Sequence, residues 1–229
     1  GLLQKTDGMD EPLGLNFDTD KQNLLTMNKI LIISAVCVCC LTACNSAQKN
    51  EAQQQDAPTP NTEWTSIAPE ALAENAVSLY RDAMALAVGT PEHHNAMTIA
   101  WGGLGVLYNR PVVTVYVSSS RYTYEFMEQY ETFTISAFPD AMTEQLMYLG
   151  RHSGRDSDDK IRDAGLSIEF TDLGNIRFHE SNLCIECRLI YKEELKKDAL
   201  DPEVAKFYDN GAGMHSMYIG EIVRVWKKG

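Results

Sequence analysis

The chain is short of positive charge. Its 20 Lys and Arg stand against 32 Asp and Glu, giving a formal net charge of −12. That balance excludes the clustered basic face a nucleic-acid partner requires. Any anion must then be held by a few placed donors rather than by a broad positive field. Cysteine is also scarce outside one segment. Of six, Cys37, Cys39, Cys40 and Cys44 crowd together and only Cys184 and Cys187 remain, which excludes a disulfide scaffold. The apolar run at residues 30–41, about a dozen residues, is too short to cross a bilayer as a helix. No Ser-His-Asp set or paired carboxylates are evident. His93-His94 has no carboxylate at useful spacing, so no metal site is expected. What remains is ordinary globular composition, 44% hydrophobic and 23% charged over 229 residues, enough for one well-cored domain plus extras.

The short apolar run has a targeting context. Met27-Asn28-Lys29 precedes it as a basic n-region, and it closes on Leu41-Thr42-Ala43-Cys44. This resembles the lipobox of bacterial lipoproteins, which implies a signal peptide at residues 27–43 and a lipidated Cys44. The protein is then expected to be exported and membrane-anchored through that lipid. The alternative is a buried core strand or helix. Residues 44–63, rich in Gln, Asn, Ala and Pro, cannot bury a core and read as a flexible tether. Residues 1–26 read as an upstream extension, non-native or disordered, since a signal peptide should open a chain. The domain proper is placed at residues 64–229.

There the pattern is dominated by strands. Residues 83–88, 96–101, 111–117, 132–137, 183–191 and 217–226 read as strands, with 111–117 (Pro-Val-Val-Thr-Val-Tyr-Val) the clearest. Helical spacing marks 69–82, 122–130 and 141–150, a short helix reaches Ala164, and Asp201-Pro202 opens another. No regular βαβ repeat appears. The expected fold is mainly β, an antiparallel barrel with peripheral helices. Cys184 and Cys187 fall in an expected strand, where residues three apart face opposite ways, so a shared disulfide or metal is not expected.

Three stretches carry chemistry. Asn95-Ala96-Met97-Thr98-Ile99-Ala100-Trp101-Gly102-Gly103-Leu104-Gly105 is glycine-rich, but a strand rather than a helix follows, so a dinucleotide fingerprint fails. The glycines allow close backbone approach to something flat, or form an ordinary turn. Ser118-Ser119-Ser120-Arg121-Tyr122-Thr123 joins a strand to a helix. Its hydroxyls, guanidinium and free N–H groups suit a phosphate, or a serine-rich cap with a solvated arginine. His152-Ser153-Gly154-Arg155-Asp156 adds donors or is a polar surface loop.

In this order these stretches resemble the flavin reductase-like family of FMN-binding split barrels. The resemblance rests on Asn95-x-Met97-Thr98-x-Ala100-Trp101-Gly102, Arg110-Pro111-Val112, Arg121-Tyr122-Thr123-Tyr124-Glu125-Phe126, Phe133-Thr134-Ile135-Ser136, Ser153-Gly154-Arg155-Asp156 and His215-x-x-Tyr218-Ile219-Gly220-Glu221-Ile222, and covers residues 67–226. It implies a split-barrel homodimer with FMN at or near the subunit interface. Thr98, Ala100, Trp101 and Gly102 would line the ring. Ser118, Arg121, Tyr122 and Thr123 would hold the phosphate and ribityl chain, with Ser136, Ser153 and Gly154 as further contacts. His215 would face the nicotinamide side as the catalytic candidate, or make a structural hydrogen bond. Three functions stay open: an FMN-dependent oxidoreductase using NAD(P)H or another donor, a membrane-tethered flavin electron carrier serving a redox partner, and a lipoprotein binding module without flavin. Export favours the carrier, because NAD(P)H is scarce outside the cytoplasm.

Overall fold

A computed structural model describes residues 63–157 and 159–228. The expected signal segment, Cys44 and nearly all of the expected tether lie outside the described residues. In chain order the described elements are β1 (Trp64–Ile67), α1 (Ala76–Arg81), β2 (Met84–Gly89), β3 (His94–Ile99), β4 (Gly102–Leu107), β5 (Arg110–Ser118), α2 (Tyr122–Gln129), β6 (Thr132–Ala137), α3 (Thr143–Arg151), α4 (Lys160–Asp163), β7 (Ile168–Phe170), β8 (Ile176–Phe178), β9 (Leu183–Glu194), α5 (Pro202–Ala205) and β10 (His215–Lys228).

Local chemistry explains where these elements start and stop. Helical spacing predicts one helix over 69–82, but the structure splits it. Pro69 opens a separate 3-10 turn ending at Ala71, and the Asn75 side chain then accepts the Ser78 N–H at 3.2 Å to cap α1. The glycine-rich stretch after Trp101 is strand β4, not a turn. It pairs with β5 through a tight hairpin at Tyr108-Asn109, both with positive φ (51° and 59°), as the twist of a two-residue hairpin demands. Asp201 caps α5 by accepting the Glu203 N–H at 2.9 Å, with Pro202 at the first helical position.

Every strand pairing is antiparallel. The main sheet has eight strands in the order β3-β2-β6-β9-β10-β5-β4, with β1 also on β10, and β7-β8 forms a separate hairpin. Register shifts along β10 at Ile219/Gly220 and Ile222/Arg224 bend the sheet. At Gly220 a Cβ would lie 2.6 Å from the Phe133 ring, so only glycine lets β10 come this close.

The barrel core gathers Leu86, Val113, Phe133, Ile135, Ile185 and Tyr218 from five strands, with Phe126 and Met127 of α2 packed among them. Each such side chain, fully buried, contributes about 1.5–3 kcal/mol. A second core lies on the other face of β2 and β3. There Ala85, Ala87 and Ala96 are small enough for α3 and the β7-β8 hairpin to pack against them through Leu146, Leu149, Ile176 and Phe178. β2 is therefore buried along its whole length. The two β9 cysteines are free and divide between the faces: Cys187 sits in the barrel core, and Cys184 faces the Ile176 carbonyl of β8. The result is a mainly β barrel with peripheral helices.

Candidate functional site

The turn between β5 and α2 and the loop between α3 and α4 meet around a small cavity of about 60 Å³. Ser120, Arg121, Tyr122 and Thr123 enter it from the first, Ser153, Gly154 and Lys160 from the second, with Asn95 of β3 between them. A volume near two waters' share of liquid suits one phosphate-sized group, not a whole ring system. Asn95 Nδ2 donates to Thr123 Oγ1 at 2.8 Å, fixing the start of α2 against β3. A Cβ on Gly154 would lie 2.5 Å from Asn95 Oδ1 and 3.0 Å from the Tyr122 ring, so glycine is required for the loop to close here. The cavity adjoins a groove of about 660 Å³ that shares Asn95, Tyr122, Gly154 and Lys160.

Two cations converge on this cavity. Arg121 Nη1 donates to the Gly150 carbonyl at 3.1 Å, and Lys160 Nζ donates to the carbonyls of Leu149 and His152 at 3.3 and 3.2 Å. All three acceptors belong to the C-terminal end of α3, where a helix leaves carbonyls unpaired and favours positive charge. Neither cation forms an ion pair among the described residues. Lys160 is 5% exposed, and burial, reinforced by Arg121, brings its pKa down from 10.5 to about 8. A buried ammonium beside a guanidinium, with no carboxylate paired to either among the described residues, is costly alone and is relieved by an anion.

An aromatic cluster forms the second half of the site. Trp101, 49% exposed, lies 5.0 Å from the His215 ring and 5.5 Å from Phe207, centroid to centroid. Tyr208 Oη is 3.0 Å from His215 Nδ1. Burial, with Arg121 adding to it, pushes the His215 pKa down and so favours the neutral imidazole. Arg121 thus acts electrostatically on both Lys160 and His215.

The remaining expected residues do not line this cavity. Ser118 Oγ donates to the Gly213 carbonyl at 2.9 Å and also bonds Ser120 Oγ, tying the turn to the segment before β10. Thr98 Oγ1 donates to the Leu146 carbonyl, fastening β3 to α3. Ala100 is half-buried in the β3–β4 connection. Gly102 is approached by something flat, but from within the chain: a Cβ would fall 2.1 Å from the Tyr80 ring and 2.2 Å from the Thr114 carbonyl. Ser136 is fully buried on β6, paired in register with Cys184, and does not line the cavity. In the late motif only His215 reaches the site. Tyr218 is core and donates to Glu128, Gly220 clears Phe133, and Glu221 pairs with Arg110 and Arg188.

Lys160, Phe207 and Tyr208 are the site residues that sequence reasoning missed. Lys160 carries no signature: a lysine after a polar loop is ordinarily solvated, and only the packing of α4 under α3 buries it. Asn95 was legible, standing at the head of the first motif.

Comparison with known proteins agrees with this architecture. The family model for the flavin reductase like domain matches residues 79–229. No match is found among curated proteins. Solved structures of the same fold include an FMN-binding domain of a flavin reductases-like enzyme from Shewanella baltica (19% identity, 74% of this chain and 78% of that one, TM-score 0.52). An FMN-binding protein from Thermus thermophilus, with bound 1-cyclohex-2-enone, is similar as well (16% identity, 82% and 80%, TM-score 0.51). So is flavoredoxin of Desulfovibrio vulgaris (22% identity, 67% and 73%, TM-score 0.50). The chain belongs to the flavin reductase like domain family.

Proposed function

We propose that the chain binds FMN and serves as an oxidoreductase of its family, taking electrons from NAD(P)H or another donor. One observation carries this: Arg121 and Lys160 flank a phosphate-sized cavity with no carboxylate paired to either among the described residues. Bound flavin supplies the redox chemistry itself, so no acid-base dyad is needed from the protein. The chain's share is to bind and orient. Arg121, Lys160, Ser120, Ser153 and the Asn95-Thr123 pair would hold the phosphate end. Trp101, with the backbone at Ala100 and Gly102, offers a surface for the ring, and His215 stands next to it. Visible absorption of purified protein tests the reading. Flavin bands, or their appearance on incubation with FMN, are expected, together with at least tenfold weaker FMN binding in Arg121→Ala, about the worth of one charge-assisted contact. A protein that neither carries nor takes up FMN refutes it.

The signal peptide expected at residues 27–43 favours a second reading, a membrane-tethered electron carrier serving a redox partner. Anaerobic titration separates the two: bleaching by NADH or NADPH marks the reductase, and its absence the carrier. The anchor is read from Cys44, and Cys44→Ala should release the protein from membranes. A homodimer is part of the same proposal. Val106 and Tyr108, 75% and 83% exposed on the β4 edge and its hairpin, supply apolar surface for a second copy.

A further inference from the structure

We propose that Tyr208 is a positioning residue that holds His215 as a single neutral tautomer, with Nδ1 accepting from the tyrosine and the proton on Nε2. This rests on the reading of His215 as a site residue. Tyr208 ends a 3-10 turn at Lys206–Tyr208, in the segment joining β9 to β10, and His215 is the first residue of β10. That segment is well fastened. Lys197 pairs with Asp209 at 2.7 Å, the Gly213 carbonyl accepts from Ser118, and a Cβ on Gly213 would collide with Ser119 Oγ at 2.5 Å. Three aromatic rings enclose the imidazole: Trp101 at 5.0 Å, Tyr208 at 5.8 Å and Phe207 at 6.1 Å.

Two proton arrangements fit the 3.0 Å contact. If His215 Nδ1–H donates to the phenol oxygen, the phenol proton is left without an acceptor among the described residues, in a side chain only 9% exposed. If the phenol donates to Nδ1, its proton and the imidazole lone pair satisfy each other, and the ring proton resides on Nε2. A partly buried donor left without a protein partner gives up a hydrogen bond, so the second arrangement is favoured. His215 Nε2 makes no hydrogen bond among the described residues. It is therefore a free N–H donor on a ring whose centroid lies 5.0 Å from that of Trp101, within the field of Arg121. Together with the guanidinium it selects ligand atoms that accept: a ring carbonyl or a carboxamide oxygen, rather than an ammonium or another donor.

Nitrogen-15 NMR of the histidine rings, recorded on the flavin-free protein, tests this directly. The sequence has five histidines, and His215→Gln identifies the signal. The wild type should show Nδ1 unprotonated and Nε2 protonated, with the other neutral tautomer about tenfold or more rarer. Tyr208→Phe, which keeps the ring packing, should let the ratio relax to that of free histidine in water. A protonated Nδ1 in the wild type overturns the proposal, and so does an unchanged ratio in Tyr208→Phe. The wild-type spectrum decides by itself should the variant fail to fold. Failure to bind flavin would sink the proposed function but leave this result standing.

Discussion

Replacing Lys160 by Met should weaken FMN binding and yet leave the flavin-free protein as stable as before or more so. Two effects oppose each other in the free protein. The gap between 10.5 and about 8 in the Lys160 pKa, at about 1.4 kcal/mol per pH unit, sets an upper limit near 3 kcal/mol on the cost of holding the charge in its buried place. Methionine keeps the apolar stem and removes that cost. It also gives up two hydrogen bonds to the carbonyls of Leu149 and His152, each worth about 1 kcal/mol net. The balance is about 1 kcal/mol in favour of the variant, or a Tm higher by roughly 2–4 °C for a domain of this size. With FMN bound the sign reverses. A charge-assisted contact to a phosphate contributes about 1.5–3 kcal/mol, so FMN affinity should fall about ten- to a hundredfold. Riboflavin, which lacks the phosphate, should bind the two proteins equally. Thermal unfolding without ligand and flavin fluorescence titrations supply the three numbers. If Lys160 serves only to cap α3, the variant will lose stability and bind FMN as well as the wild type, and that outcome refutes the reasoning.

Four further expectations follow from the geometry. FMN affinity should decline as pH rises above about 8, because free Lys160 then loses the proton that the bound phosphate requires, whereas a flat profile from pH 7 to 10 would remove Lys160 from the site. The same group makes flavin-free stability rise between about 8 and 10.5, since the unfolded chain there binds more protons than the folded one; Lys160→Met should abolish that slope in urea denaturation. Gly102→Ala should cost roughly 1–3 kcal/mol, because its Cβ meets both a buried ring and an immovable backbone carbonyl, and a variant with unchanged urea midpoint would contradict the contact. Cys184 and Cys187 should resist alkylation in the native protein, since burial pushes the first thiol up to about 12 and the second well above its ordinary range; mass-spectrometric mapping that finds either one labelled before unfolding would contradict their placement.

Much of the fold is legible in local pattern. The β-branched run before Ser118 gives β5, Asp201-Pro202 opens α5, and strands without a βαβ repeat point to an antiparallel barrel. Where several local signals overlap, pattern misleads. Helical spacing across 69–82 hides the Pro69 turn and the Asn75 cap, and the glycines at 102–105, legible as a close backbone approach or as a turn, form an edge strand. For the site, the sequence places Arg121, Tyr122, Thr123, Ser153 and Gly154 in segments rich in donors, and the structure brings them around one cavity. It also names Ser136 and Thr98, whose hydroxyl neighbourhoods look the same in one dimension but lie inside the packing.

The sequence by itself determined the strand-rich class, the acidic balance that forces any anion onto a few donors, and the stretch from Asn95 to Tyr124 as the place to look. Those properties depend on residue type and near neighbours. Tertiary structure decided that Lys160 is buried beside Arg121 and that Tyr208 reaches His215. It also decided that a Cβ at Gly102 would run into the Tyr80 ring. Charge cost, hydrogen-bond partner and steric clearance depend on what the folded chain brings within a few ångströms, and in these cases the partners come from separate elements of the barrel and its helices.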